Sequence, residues 1–194
     1  WAELNTSIDR PLNNRAIAGV YPPGSTFKPF MALAALEAGK RTPKSAINDP
    51  GYFEFGGRRF RDSKPGGHGY VDLYKSIVVS SDTFYYQLAN DMGIDAISGF
   101  MGKFGFGSKS GIDLEGESEG VLPSQEWKMK RYQQKWYAGD TVSVGIGQGY
   151  NLVTPMQLAY ATATLANNGV GYKPHLVREV RSSRSLENRL IEAK

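Results

Sequence analysis

The sequence contains no cysteine, which excludes disulfides, thiolate metal centres and cysteine nucleophiles. That absence suits an oxidising compartment such as the periplasm without requiring one. No run of 18 or more apolar residues occurs and nothing at the N-terminus resembles a signal peptide, so the chain as given reads as soluble. It starts at Trp1-Ala2-Glu3-Leu4 with no initiator methionine and reads as a piece of a longer protein. Charge of one sign is in short supply too. The 23 basic and 19 acidic residues leave a net +4, which fits solvated surface lysines and predicts no nucleic-acid partner.

What is present is an ordinary globular composition. The 194 residues are 40% hydrophobic and 22% charged, enough for one domain with a sizeable core. Residues 1–24 read as a stiff lead-in loop closing on Tyr21-Pro22-Pro23-Gly24, where the prolines fix φ and remove donors. Residues 25–39 predict a helix, apolar nearly all round and therefore buried, with Gly39 as its stop. Asn48-Asp49-Pro50-Gly51 predicts a turn, and residues 52–61 a short hairpin about Gly56-Gly57. A second helix is expected from Asp72 to Asp91, then a shorter one ending near Gly105. Residues 105–125 read as loop, 125–135 as a basic helical stretch, and Thr154-Pro155 opens a final helix reaching Asn167. Residues 25–176 thus form a mainly helical core, and 177–194 a polar, fraying tail.

Two motifs carry chemistry. Ser25 and Lys28 stand as S-x-x-K, nearly one helical turn apart, so both project from the same face. A serine hydroxyl becomes a competent nucleophile only when a base takes its proton, and a lysine can serve when its amine is neutral. A helix N-terminus beneath Ser25 would aim N–H groups at developing negative charge. On its own the pattern also describes a serine cap beside a surface lysine. The second motif, Ser80-Ser81-Asp82, follows Lys28 by 52 residues. Ser80 is placed to relay a proton and Asp82 to bond Lys28 or substrate; the same three residues would also serve as a helix cap before Thr83.

The pair of motifs is more specific than either alone, and resembles two of the three short motifs of penicillin-binding proteins and class A β-lactamases, with Asp82 where most relatives carry asparagine. Tyr21-Pro22-Pro23-Gly24-Ser25-Thr26-Phe27-Lys28-Pro29, Ser80-Ser81-Asp82-Thr83-Phe84-Tyr85-Tyr86, Met101-Gly102-Lys103-Phe104-Gly105, Gly111-Ile112-Asp113-Leu114 and Gly145-Ile146-Gly147-Gln148-Gly149 resemble the penicillin-binding protein 2 family. These are the elongation-type class B transpeptidases of Gram-negative bacteria, and the resemblance runs from Trp1 to about Leu176. It implies an α/β penicillin-binding, serine β-lactamase-like transpeptidase fold, of which this chain is mostly the helical part without most of the central sheet. It further implies acyl transfer. Ser25 attacks the D-Ala-D-Ala bond of a peptidoglycan stem peptide, Lys28 is the base, and Ser80 and Asp82 assist. β-Lactam antibiotics acylate the same serine.

The implied setting is the periplasmic face of the inner membrane. The implied partners are a membrane-embedded glycosyltransferase and elongation-complex proteins, and no cofactor is required. Some relatives resemble a zinc site at two aspartates, a histidine and a cysteine, which maps here onto Asp49, Asp62 and His68 with Ser81 in the cysteine's place. A neutral hydroxyl is a poor zinc ligand beside a thiolate.

The family's Lys-Ser/Thr-Gly motif is missing. Lys109-Ser110-Gly111 imitates it but follows Ser80 by only 29 residues, in a loop. Weak or absent activity is therefore expected of these residues alone. The run Asp113, Glu115, Glu117, Glu119 reads as a solvated loop, and Gly145 to Gly149 as close backbone packing beneath the site rather than a phosphate loop. Lys128, Lys130, Arg131 and Lys135, among Trp127, Tyr132 and Trp136, read as a surface or lid segment near the cleft. Two competing functions remain: a non-catalytic β-lactam or peptide sensor on the same fold, and a hydrolytic β-lactamase, which would need a deacylating glutamate that the sequence does not offer.

Overall fold

The structure is a computed structural model that describes residues 1–181 and 188–190. The described chain divides into two compact units, one of residues 22–103 with 121–152, the other of 1–21, 104–120 and 153–194.

The first unit is built round a buried helix. The predicted helix at 25–39 divides into a 3-10 turn, Gly24–Phe27, and an α-helix, α3, at Lys28–Glu37. The division follows from Pro29, which has no N–H to bond Ser25 O, while Lys28 N closes the tighter i→i−3 bond to that carbonyl. Gly39, at φ +64, ends α3 as expected, with Lys40 N bonded to Ala35 O. Next come β1 (Ala46–Asp49), β2 (Tyr52–Phe55), β3 (Arg58–Arg61) and β4 (Gly69–Asp72). The β2–β3 hairpin turns on Gly56 and Gly57, both with positive φ, as anticipated. The β1–β4 ladder, pairing Ala46 with Asp72 and Asp49 with Gly69, has no signal in the local pattern because its strands are 20 residues apart.

The helix expected across Asp72–Asp91 is broken into α4 (Leu73–Val78) and α5 (Asp82–Met92). Helix α4 closes with Ser80 N on Ile77 O and Ser81 N on Ser76 O, the paired bonds that end a helix through one left-handed residue. That residue is Ser80, at φ +54. The remaining helices here are α6 (Ile94–Gly102), α7 (Gln125–Tyr132) and α8 (Ala138–Val144), the last not anticipated from sequence. Phe84, Tyr85, Leu88 and Ala89 of α5 are fully buried, each large apolar side chain contributing about 1.5–3 kcal/mol. Helix α8 lies against α5 at Gly145, where a Cβ would stand 2.5 Å from Tyr85 O. Two residues on, Gly24 N donates to Gly147 O at 2.9 Å, and a Cβ on Gly147 would come within 2.3 Å of Gly24 O.

The second unit contains α1 (Ala2–Thr6), α2 (Arg15–Ala18), α9 (Pro155–Ala166), β5 (Glu179–Arg181) and β6 (Asn188–Leu190). Short helices therefore occupy parts of the stretch read as a lead-in loop. Helix α9 starts where predicted, on a capping box between Thr154 and Gln157. Gln157, 1% exposed, also donates to Ser108 O and Glu119 O, both at 2.7 Å, and so binds the ends of an irregular segment to the helix. The acidic run in that segment is a loop as expected, with Asp113, Glu115 and Glu119 exposed, and only Glu117 departs from the reading. Glu117 accepts from Ser110 N, Ser110 Oγ and Gly111 N. Lys109-Ser110-Gly111 is thus a loop tied by a carboxylate and lies on no strand. Exposed Asp113 accepts from Leu176 N at 2.7 Å and Val177 N at 2.9 Å. The tail forms the β5–β6 pair instead of fraying throughout; residues 182–187 and 191–194 of the predicted tail lie outside the described residues.

Two outcomes follow. Gly147→Ala combines a positive-φ penalty with a backbone clash, so a loss of roughly 2 kcal/mol or more is expected, read as a fall in Tm of about 4 °C or more. An unchanged Tm would show the turn to be slack. The amides of Val177 and Leu176 hold the Asp113 carboxyl below the usual carboxylate range. A depressed folded value stabilises above the unfolded pKa of about 3.9 and is lost as pH falls through the folded value. Hydrogen exchange at Leu176 and Val177 should therefore be protected at neutral pH, lose protection below about pH 4, and be unprotected at all pH in Asp113→Ala.

Candidate active site

Ser25 is exposed, and its hydroxyl has no hydrogen-bond partner among the described residues. It lies in the 3-10 turn rather than at an α-helix N-terminus, as the sequence had suggested. Ser25 and Lys28 lie three residues apart across this turn, joined by the backbone bond from Lys28 N to Ser25 O. Thr26 Oγ1 donates to Pro23 O at 2.6 Å and closes the turn.

Lys28 is 1% exposed. Its ammonium has three donors, and the structure gives it three oxygen acceptors: Ser80 O at 2.7 Å, Ser80 Oγ at 3.0 Å and Asp82 Oδ1 at 2.5 Å. The ring of Tyr85 lies 5.6 Å below it. Burial pushes the Tyr85 phenol up to about 12, against the lowering effect of its bond with Ser76 Oγ. It therefore stays neutral at physiological pH and supplies a polarisable face rather than a counter-charge. Tyr85 and Ser76 support the site without any signal in the short motifs.

The structure shows the cap and also the expected bond between Asp82 and Lys28. Ser81 is the N-cap of α5, its Oγ accepting from Phe84 N at 3.2 Å, and Asp82 is the first helical residue. Ser80, the left-handed end of α4, meets Lys28 through both its carbonyl and its hydroxyl. Glycine is the inexpensive residue at such a position, and a serine costs on the order of 1 kcal/mol of strain. A strained serine whose hydroxyl touches the lysine of the first motif points to a function for that hydroxyl.

Beneath this junction, Ser81 Oγ donates to Asp49 Oδ2 at 2.8 Å and lies 3.4 Å from Asp62 Oδ2. Thr83 N donates to Asp62 Oδ2 at 2.8 Å. Burial would raise the Asp62 carboxyl, but bonds from Thr83, Lys64 and Ser63 outweigh it and hold the group below the usual range. Asp49, Asp62 and His68, the residues read as metal donors, converge. One ligand atom from each lies within 4.8 Å of the others. His68 Nε2 is buried and has no hydrogen-bond partner. Two carboxylates and an imidazole nitrogen that lies 3.5 Å from Asp62 Oδ1 without a hydrogen bond fit a divalent cation; Ser81 does not complete a zinc set, since its hydroxyl donates to Asp49.

Lys128 departs most from its reading. It is 2% exposed and its ammonium pairs with Asp140 at 2.5 Å, so it is an interior residue and no part of a basic surface. The desolvation that would lower its pKa is outweighed by that carboxylate, which holds it charged.

Residues 2–193 match the family model of the penicillin-binding protein transpeptidase domain. The peptidoglycan D,D-transpeptidase MrdA of Acinetobacter baumannii is 51% identical over 180 residues, 92% of this chain, which spans 27% of that relative's length. Among solved structures, Pseudomonas aeruginosa PBP2 in complex with WCK 5153 superposes with a TM-score of 0.88 at 50% identity, over 91% of this chain and 39% of that one. Helicobacter pylori PBP2, solved in a complex with MreC, gives 0.85 at 38% identity, over 90% and 32%. These likenesses establish a penicillin-binding transpeptidase fold. The chain belongs to the penicillin-binding protein transpeptidase domain family.

Proposed function

We propose that the protein is a peptidoglycan D,D-transpeptidase working through a serine acyl-enzyme. The observation that carries this reading is the contact of Lys28 Nζ with Ser80 Oγ and Asp82 Oδ1, two residues of one motif 52 and 54 positions away, with Ser25 exposed three residues before Lys28. Ser25 Oγ attacks the carbonyl joining the two D-alanines of a stem peptide as its proton passes to Lys28 Nζ. The carbon–nitrogen bond breaks as Lys28 Nζ hands a proton to Ser80 Oγ and Ser80 hands its own hydroxyl proton to the departing D-alanine nitrogen, so Lys28 and Ser80 end the step with the protons they began with. An amine from a neighbouring stem then attacks the Ser25 ester, forms the cross-link and regenerates the hydroxyl. Asp82 keeps Lys28 Nζ aimed between the two hydroxyls. In a β-lactam the leaving amine remains tethered, so the acyl-enzyme persists.

The relative named as a D,D-transpeptidase supports the reaction, and the H. pylori complex with MreC supports an elongation-complex partner. On the same reading, a membrane-embedded glycosyltransferase supplies the strand, and the protein works at the periplasmic face of the inner membrane. No described helix is long and apolar enough to cross a membrane. With no Lys-Ser/Thr-Gly on a strand, these 194 residues alone are expected to turn over weakly or not at all.

Asp49, Asp62 and His68 are read as a structural metal site. Bound there, a divalent ion would join the end of β1, the β3–β4 connection and the loop before β4, and would take no part in acyl transfer.

The intact protein should be labelled by a fluorescent penicillin at Ser25. Ser25→Ala should abolish labelling, and Lys28→Met should slow it by roughly 10²-fold or more; labelling that survives the serine substitution refutes the mechanism. For the metal site, Ser81→Cys supplies a thiolate and should raise zinc retention against a chelator roughly tenfold or more, read by elemental analysis. Zinc absent from both proteins would show that the three donors do not form a binding site.

A further inference from the structure

Around Lys128 the chain builds an aromatic cluster that acyl transfer does not use. Trp127 packs on Tyr132 and Tyr150, with ring centroids 5.6 and 5.3 Å apart, and Tyr150 on Tyr132 and Trp136 at 5.6 and 6.1 Å. The Lys128 ammonium lies over Tyr137 at 4.9 Å, Tyr150 at 5.5 Å and Trp136 at 5.8 Å while paired with Asp140. A cation from solution cannot use this cage, because the protein's own lysine fills it. The filling has a second effect: the rings are held from inside, at no ordering cost to a ligand that arrives from outside.

The outer surface has a definite chemistry. Tyr132 and Tyr137 are 47% and 54% exposed. Beside them stand the exposed amides of Gln133, Gln134 and Gln148 and the exposed cations Lys130, Arg131 and Lys135. Glu126, one turn before Lys130, makes no ion pair with it; among the described residues Lys130 and Arg131 have no carboxylate partner, and Lys135 contacts only the Tyr137 ring. Ring faces accept the C–H faces of a sugar, amides meet its hydroxyl and acetamido groups, and unpaired cations meet carboxylates. The site is also close to the serine. Tyr150 follows Gly147 by three residues, a span of at most about 11 Å, and Gly147 O accepts from Gly24 N in the turn that carries Ser25.

We propose that the Trp127–Tyr132–Tyr137–Tyr150 face is a subsite for the amino-sugar strand of the substrate, with Lys130, Arg131 and Lys135 receiving carboxylates of its acidic stem peptides. The proposal rests on the acyl-transfer reading of Ser25 and adds a second contact for the same polymer. It predicts that the protein distinguishes a peptide attached to glycan from the same peptide free.

The test uses the intact protein, a soluble disaccharide-pentapeptide and the free pentapeptide, and takes the ratio of kcat/KM for the two, which cancels general loss of folded enzyme. A preference of roughly tenfold for the glycan-bearing donor is expected. It should fall to near unity in the double variant Tyr132→Ala, Tyr137→Ala, through KM, and shrink in Lys130→Gln with Lys135→Gln. A ratio near unity in the unmodified protein, or one preserved in both variants, overturns the subsite. Equal affinity for a single-stranded oligonucleotide at physiological salt overturns it too, by showing a generic polyanion surface. If penicillin labels the unmodified protein while the ratio is unity, the subsite fails and the acyl-transfer reading stands; if penicillin does not label it, both fail.

Discussion

The arrangement of the site depends on the buried ammonium of Lys28. Removed from water, that charge must find oxygen, and the three acceptors it finds all come from Ser80 and Asp82. Loss of one member of such a pair leaves an uncompensated buried charge, a cost of about 3–5 kcal/mol. The same bonds therefore hold α3 to the α4–α5 junction and set the distances on which proton transfer would depend.

The junction presented to Lys28 is itself a compromise. Chain reversal between α4 and α5 needs one left-handed residue, and Ser80 takes that position although glycine would hold it with less strain. The strain is offset by the bonds on either side. Ser81 N closes α4, Ser81 Oγ caps α5, and Asp49 and Asp62 fix Ser81 and Thr83 from below. The carboxylates thus orient the motif whether or not a cation lies between them.

Helix α8 works from the other side of the same unit. Its charged anchor, Asp140 with Lys128, is at one end, and its glycine turn at the other touches both the α5 backbone at Tyr85 and the Ser25 turn at Gly24. Glycine at 145 and 147 allows backbone to lie on backbone, so position is transmitted without a compressible side chain between. This gives the aromatic cluster and the serine turn one shared support.

Much of this was legible in the residues. Ser25 and Lys28, the Gly56-Gly57 hairpin, the Gly39 stop and the Thr154-Pro155 start are local: each follows from the φ preference, missing donor or side-chain oxygen of a residue at that spot. The family resemblance came from five short segments read together. The break between α4 and α5 was offered by the cap reading of Ser80-Ser81-Asp82 but competed with the helical periodicity of Leu73 to Met92, and bonds to the distant Asp49 and Asp62 decide it. Lys128 looked like a surface charge because its partner, Asp140, and its enclosing rings come from later segments. Helix α8 had no signal apart from its fit against α5. The sequence by itself determined which residues are candidates for the chemistry and where the stop at Gly39, the turn at Gly56-Gly57 and the start at Thr154-Pro155 fall. Tertiary structure alone decided which charges lose their water and which oxygen each must then find, since desolvation depends on neighbours far along the chain.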